Sequence, residues 1–107
     1  MRRGRFYYTR TTSGNLLGEW SNETMNRNHT EGAVLLERFE GSDFIGRYHV
    51  CWWEGGEDNN VVTAILTINS RPDSTNIFTL AWTALNGNEM FTGEGFISNG
   101  ILIGSYI

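Results

Sequence analysis

The sequence has one cysteine, one proline, no lysine and no long apolar run. A single cysteine, Cys51, excludes an intrachain disulfide. No segment approaches the roughly 18 consecutive apolar residues of a membrane helix, and no apolar stretch follows the basic N-terminus as it would in a signal peptide. We therefore expect a soluble, cytoplasmic protein without membrane contact.

Positive charge is scarce. Eight arginines oppose twelve acidic residues, and the resulting net charge of −4 argues against general nucleic-acid binding. Four of the arginines fall in the first ten positions: Arg2, Arg3, Arg5 and Arg10. This cluster is either a solvated terminal strand or a surface for an anion, because guanidinium groups bind carboxylates and phosphates in a fork.

Aromatic residues and glycine are plentiful. Four Trp, four Tyr, six Phe and thirteen Gly in 107 residues suit strands and turns better than helices. The length fits one domain, residues 1–107, that can bury its own core. Turn residues recur at intervals, and the segments between them predict strands near 3–11, 15–24, 32–40, 44–53, 61–69, 77–84, 90–97 and 101–107. Residues 25–32 are expected to form a polar loop with room for one helical turn.

Alternation of apolar and polar residues supports these strands. Phe78, Leu80 and Trp82 share one face of their segment. In the segment 32–40, Ala33, Leu35 and Phe39 share a face, on which Glu37 is the one polar exception. In the segment 61–69, the residues that share a face are Val62, Ala64, Leu66 and Ile68. Asn99-Gly100 predicts a two-residue type I′ hairpin, because both residues tolerate positive φ.

A short pattern of two apolar residues, a glycine, any residue and an aromatic occurs three times. The copies are Leu16–Trp20, Phe44–Tyr48 and Leu102–Tyr106. Glycine in a strand permits a bend or the close approach of a neighbour, and an aromatic beside it can cover the open space. Glycine kinks also curve a sheet towards closure. We therefore predict an all-β fold: an antiparallel up-and-down meander of about eight strands in a closed or nearly closed barrel.

Gly18-Glu19-Trp20 resembles the Gly-x-Trp signature of the calycin superfamily, which includes lipocalins and avidins. Gly46-Arg47-Tyr48 and the segments 78–82 and 91–97 are similar to later avidin strands. The resemblance implies a barrel with a ligand site at its open end, and Asn22, Tyr48 and Trp82 would match ligand-contacting positions. The chain departs from the avidins by a strand before Gly18, by the lack of a final strand after Tyr106 and by Val50 where they carry a hydroxyl.

Other chemistry has weaker support. His49 and Cys51 alternate on one strand and could form a metal site or a thiolate–imidazole pair; a buried Cys51 with His49 on the same wall is the simpler interpretation. The acidic segment Glu54–Asn60 lacks EF-hand spacing and is expected to be a hairpin tip rather than a calcium site. Glu94 would pair with Arg47 or Arg38 if it faced inwards, but the glycines beside it favour an outward direction.

The sequence predicts no catalytic, metal or cofactor site, and an enzyme is the least supported class. The first hypothesis is a barrel that binds a small apolar or aromatic ligand. Its pocket residues would be Trp20, Asn22, Tyr48, His49, Trp82 and Tyr106. The second is a protein-interaction or inhibitor module with a filled barrel core. Its partner would be another protein or a second copy of this chain in a homo-oligomer. Adjacent Trp52 and Trp53 must face opposite sides of a strand, and either could serve that interface.

Overall fold

The computed structural model describes residues 3–24, 28–55, 60–74 and 76–107, in which the regular elements are β-strands. The strands are β1 (Gly4–Arg10), β2 (Leu16–Asn22), β3 (His29–Arg38), β4 (Gly46–Gly55), β5 (Asn60–Ser70), β6 (Ile77–Thr83), β7 (Glu89–Ser98) and β8 (Ile101–Tyr106). None of the described ranges contains a helix that could cross a membrane.

The eight strands form one closed barrel. Each strand pairs antiparallel with the next, and β8 returns to β1, where Phe6 lies opposite Gly104. The predicted up-and-down meander is thereby confirmed, as is its closure. Because every strand has two neighbours, the barrel leaves no unpaired edge among these strands.

The predicted alternation places the core inside the barrel. On β6, Phe78, Leu80 and Trp82 are all buried, as are Ala64, Leu66 and Ile68 on β5. The remaining buried apolar residues are Phe6, Tyr8, Leu16, Ala33, Phe44, Ile45, Tyr48, Val50, Trp52, Leu102 and Tyr106. The interior is therefore filled mainly by aromatic and branched side chains.

Strand β3 differs from its prediction in two ways. It starts at His29, inside the segment that was expected to be a loop, and it contains a bulge between Leu35 and Glu37. The extra residue turns Glu37 to the outer wall, where its carboxylate lies 3.8 Å from Arg47. The bulge explains why Glu37 interrupts an otherwise apolar face.

The hairpin between β7 and β8 matches its prediction. Asn99 and Gly100 have φ values of 52° and 76°, and Ser98 pairs with Ile101 across the turn. Both central residues therefore adopt the left-handed conformation that a type I′ turn requires.

The recurrent glycines mark places where neighbouring strands come close. A Cβ added at Gly18 would collide with the carbonyl oxygen of Tyr7, and one added at Gly104 would collide with that of Glu94. The glycines are thus required by the tight curvature of the barrel wall.

The two ends of the barrel differ. At one end, which we call the closed end, the connection 39–45 folds inwards and buries Phe44 and Ile45. The Tyr48 hydroxyl donates to the Phe44 carbonyl oxygen at 2.8 Å and holds this connection in place. The opposite end, which we call the termini end, contains the start of β1, the start of β3 and the end of β8.

Candidate functional site

A buried carboxylate lies inside the barrel near the termini end. Glu31 is 4% exposed and is the buried charged residue of an otherwise apolar core. It faces inwards because it alternates with Ala33, and it lies opposite Gly18 on β2 and Trp52 on β4. Glu31 was not among the predicted site residues, because the predicted strand started one residue after it. Extending the period-two pattern back from Ala33 would have found it.

Gly18 allows Tyr8 to reach Glu31. Tyr8, Gly18 and Glu31 are consecutive partners across β1, β2 and β3. A Cβ on Gly18 would lie 2.8 Å from the Tyr8 ring, so the ring occupies the space that glycine leaves. The Tyr8 hydroxyl crosses β2 in this way and donates to Oε2 of Glu31.

The described hydrogen bonds of the Glu31 carboxylate reach only one of its two oxygens. The indole Nε1 of Trp82 also donates to Oε2, at 3.3 Å, so both described hydrogen bonds of the carboxylate fall on the same oxygen. Burial raises the pKa of Glu31 to about 7, although the hydrogen bonds from Tyr8 and Trp82 act to lower it. Glu31 therefore gains or loses a proton near neutral pH.

A continuous series of ring contacts runs from this carboxylate to the outer wall, with centroid separations from 5.3 to 6.4 Å. We call it the aromatic series. In order of contact it runs through Tyr8, Phe6, Trp82, Tyr106, Phe91, Trp52, Trp20, His29 and Trp53. The series starts at the hydrogen bond to Glu31, passes Trp52 opposite it, and reaches the outer wall at Trp53, which is 40% exposed.

Three of the six predicted pocket residues belong to the aromatic series. Trp82 and Tyr106 lie with ring centroids 5.9 Å apart, and Trp20 makes an edge contact with Trp52 at 6.4 Å. The buried Nε1 of Trp20 has no acceptor among the described residues, whereas the Tyr106 hydroxyl donates to the Ser21 carbonyl oxygen at 3.2 Å. The structure thus brings these three aromatic residues to the end of the barrel that holds Glu31.

The other three predicted pocket residues lie elsewhere. Tyr48 is buried at the closed end, and Asn22 accepts a hydrogen bond from the Thr24 amide at 2.9 Å in an exposed turn. His49 was expected to line the pocket, but it faces outwards because its neighbours Tyr48 and Val50 are fully buried on the inner wall.

Cys51 was likewise expected to be buried, and this expectation is wrong. It shares the face of His49, as predicted, but that face is the outer wall and its thiol is exposed. Trp52 and Trp53 do face opposite sides, with Trp52 buried and Trp53 outside. Alternation alone left open which face of this strand was the inner one.

The remaining polar candidates lie on the outer wall. Glu94 faces outwards, as the adjacent glycines indicated, and pairs with Arg71 at 3.6 Å rather than with Arg47 or Arg38. Glu19 accepts a hydrogen bond from the Tyr7 hydroxyl. Within the described ranges, no three His, Cys, Asp or Glu side chains come together as metal ligands. The acidic segment Glu54–Asn60, expected to be a hairpin tip, has its ends in β4 and β5, and its residues 56–59 lie outside the described residues.

Comparison with protein-family models, with curated proteins and with solved structures finds no match.

Proposed function

We propose that this barrel binds a small molecule at its termini end, with Glu31 as the polar anchor. The observation that carries the proposal is a buried carboxylate in an apolar core, both of whose described hydrogen bonds fall on Oε2. Burying a carboxylate that is not fully hydrogen-bonded lowers the stability of the folded protein by several kcal/mol. This loss is on the order of the stability that a hydrogen-bond network in a core contributes. A glutamine or an apolar residue would fill this position at lower cost if it served packing alone.

The surroundings of Glu31 suit an organic ligand. The inner side chains are densely packed, so the ligand would bind near the rim rather than deep inside. At the termini end, Trp20, Val62, Met90 and Phe91 are only partly buried and pack against the core. Partly open apolar side chains around a few polar groups are the usual composition of a ligand site.

The calycin resemblance forms part of this proposal. The eight-stranded antiparallel barrel is consistent with a calycin-like fold. Strand β1 pairs with both β2 and β8, and we propose that it takes the place of the final avidin strand that the sequence lacks. Under this interpretation the strands follow a circularly permuted order, and the ligand lies at the end that holds the Gly18–Trp20 motif.

The test is a thermal-shift screen against small metabolites, including amines, alcohols, carboxylates, fatty acids and biotin. A ligand at 100 times its dissociation constant adds about 2.7 kcal/mol of stability, or several degrees in a domain of this size. Glu31→Gln should remove the shift. Glu19→Gln is the matched control, because Glu19 also accepts from a tyrosine but lies on the outer wall. Shifts that survive Glu31→Gln, or none in any class, would contradict the proposal.

A second candidate function is protein interaction through the outer wall. Ile77, Phe96 and Ile103 are consecutive cross-strand partners on β6, β7 and β8, and Phe96 is 50% exposed. Exposed apolar rows of this kind occur at interfaces between subunits or partners. Light scattering tests it: an oligomer that dissociates in Phe96→Ser, but not in Leu85→Ser at an exposed turn, would favour this function, and a monomer at all concentrations would reject self-association.

A further inference from the structure

The charge of Glu31 has no counterpart in the described part of the chain. No arginine or histidine side chain there forms an ion pair with it. The arginines that are paired lie outside the core, as with Arg47 and Glu37 at 3.8 Å or Arg71 and Glu94 at 3.6 Å. Among the described residues, an ionised Glu31 is therefore compensated by two neutral donors, Tyr8 and Trp82.

The rings around Glu31 favour a positive charge. Tyr8 and Trp82 present their O–H and N–H donors to the carboxylate, so the rings available to a cation are Trp52, which lies opposite Glu31 on β4, and Trp20, which contacts Trp52. The faces of aromatic rings carry negative potential and attract cations, most strongly for tryptophan. A carboxylate among such rings repels an anion and offers a neutral molecule only one acceptor.

A metal ion fits this position less well than an organic cation. Hard metal ions require several oxygen ligands, and no group of three acidic, cysteine or histidine side chains forms in the described residues. An alkylammonium group needs only one strong acceptor and apolar contact for its chain. Oε1 can serve as such an acceptor, since both described hydrogen bonds of Glu31 fall on Oε2.

Resting on the proposed function, we infer that the ligand is a protonated alkylamine whose ammonium N–H donates to Oε1 of Glu31. Its alkyl chain lies against Trp20, Trp52 and Phe91 at the rim. The two parts of the ligand are thus recognised by different parts of the site: the charge by the carboxylate and the ring faces, and the chain by apolar contact.

The experiment compares butylammonium with butanol, a neutral analogue of similar shape, by NMR titration of the tryptophan indole N–H signals at pH about 8, where a primary amine is still protonated. The four tryptophans give separate indole probes, assigned by single Trp→Phe variants. We expect butylammonium to bind at least about tenfold more tightly than butanol and to shift the Trp82 and Trp52 signals more than that of Trp53.

Each outcome separates the inference from the proposed function. Butanol binding as tightly as butylammonium at the same indoles would overturn the amine assignment and leave the ligand site standing. No shift of the Trp82 or Trp52 signals with either probe, together with a negative metabolite screen, would overturn both. In Glu31→Gln the preference for butylammonium should vanish, whereas in Glu19→Gln it should persist; a preference that survives Glu31→Gln would reject the role of the carboxylate.

Discussion

Tyr8 donates a hydrogen bond to Glu31 inside the barrel, and the adjacent Tyr7 donates the same kind of hydrogen bond to Glu19 on the outer wall. Adjacent tyrosines thus donate to carboxylates on opposite sides of the same wall, one in an apolar core and one facing solvent. The chemistry of the two pairs is the same and only the surroundings differ, so each pair serves as a control for the other.

The inner bond should contribute more to stability than the outer one. Tyr8→Phe removes a donor from a buried carboxylate, and we expect it to lower the free energy of unfolding by about 1.5–3 kcal/mol at pH 8. Tyr7→Phe removes the solvated counterpart and should change it by less than about 0.5 kcal/mol. Urea denaturation measures both. Equal losses in the two variants would show that burial does not strengthen the inner bond.

Glu31 should make stability depend on pH. Burial raises its folded-state pKa from the ordinary 4.5 to about 7, so between these values the folded protein holds the proton more tightly than the unfolded chain. Its stabilising contribution is therefore complete below pH about 4.5 and is lost as the pH rises through about 7, a decrease of about 3 kcal/mol.

Glu31→Gln should abolish this part of the pH dependence, and Glu19→Gln should retain it. Denaturant titrations at closely spaced pH values from about 4.5 to about 8 measure the slope. If the slope of Glu31→Gln equals that of the parent protein, another group is responsible and the carboxylate does not titrate in this range.

Two glycines on neighbouring strands should respond in opposite ways to alanine. At Gly18 an added methyl group would collide with the Tyr7 carbonyl oxygen. At Gly32, which lies on β3 opposite Leu17, no atom lies within 4 Å of the position an added methyl group would take. We expect Gly18→Ala to cost about 1–3 kcal/mol through backbone displacement, and Gly32→Ala to be neutral or to stabilise by up to about 1 kcal/mol. Thermal denaturation measures both variants. A Gly18→Ala protein as stable as Gly32→Ala would rule out the close approach of β1 and β2.

Cys51 should react with thiol reagents in the folded protein. Its side chain is exposed on the outer wall of β4. A chromogenic disulfide reagent should therefore release one equivalent of chromophore without denaturant, and Cys51→Ser should release none because the chain has no other cysteine. Release only after denaturation would place the thiol inside the barrel, as the sequence alone suggested.

Residues close together in the chain determined most of the fold. Turn residues and period-two alternation place the eight strands to within a few residues, apart from the early start of β3, and Asn99-Gly100 determines its own hairpin because its φ angles are a local property. The Gly–aromatic pattern also predicted curvature correctly, since the clash that excludes a side chain at Gly18 or Gly104 arises from the neighbouring strand of any tightly curved sheet.

Only the tertiary structure determined which face of each strand lies inside the barrel and which side chains surround Glu31. Alternation paired His49 with Cys51 and separated Trp52 from Trp53, but the inner face of β4 depends on its register with β3 and β5. The partners of Glu31 lie 23 and 51 residues along the chain, at Tyr8 and Trp82. The register of β1, β2 and β3 brings Tyr8 to Glu31, and the curvature of the barrel brings Trp82 there from β6. Contacts of this kind leave no local pattern in the sequence.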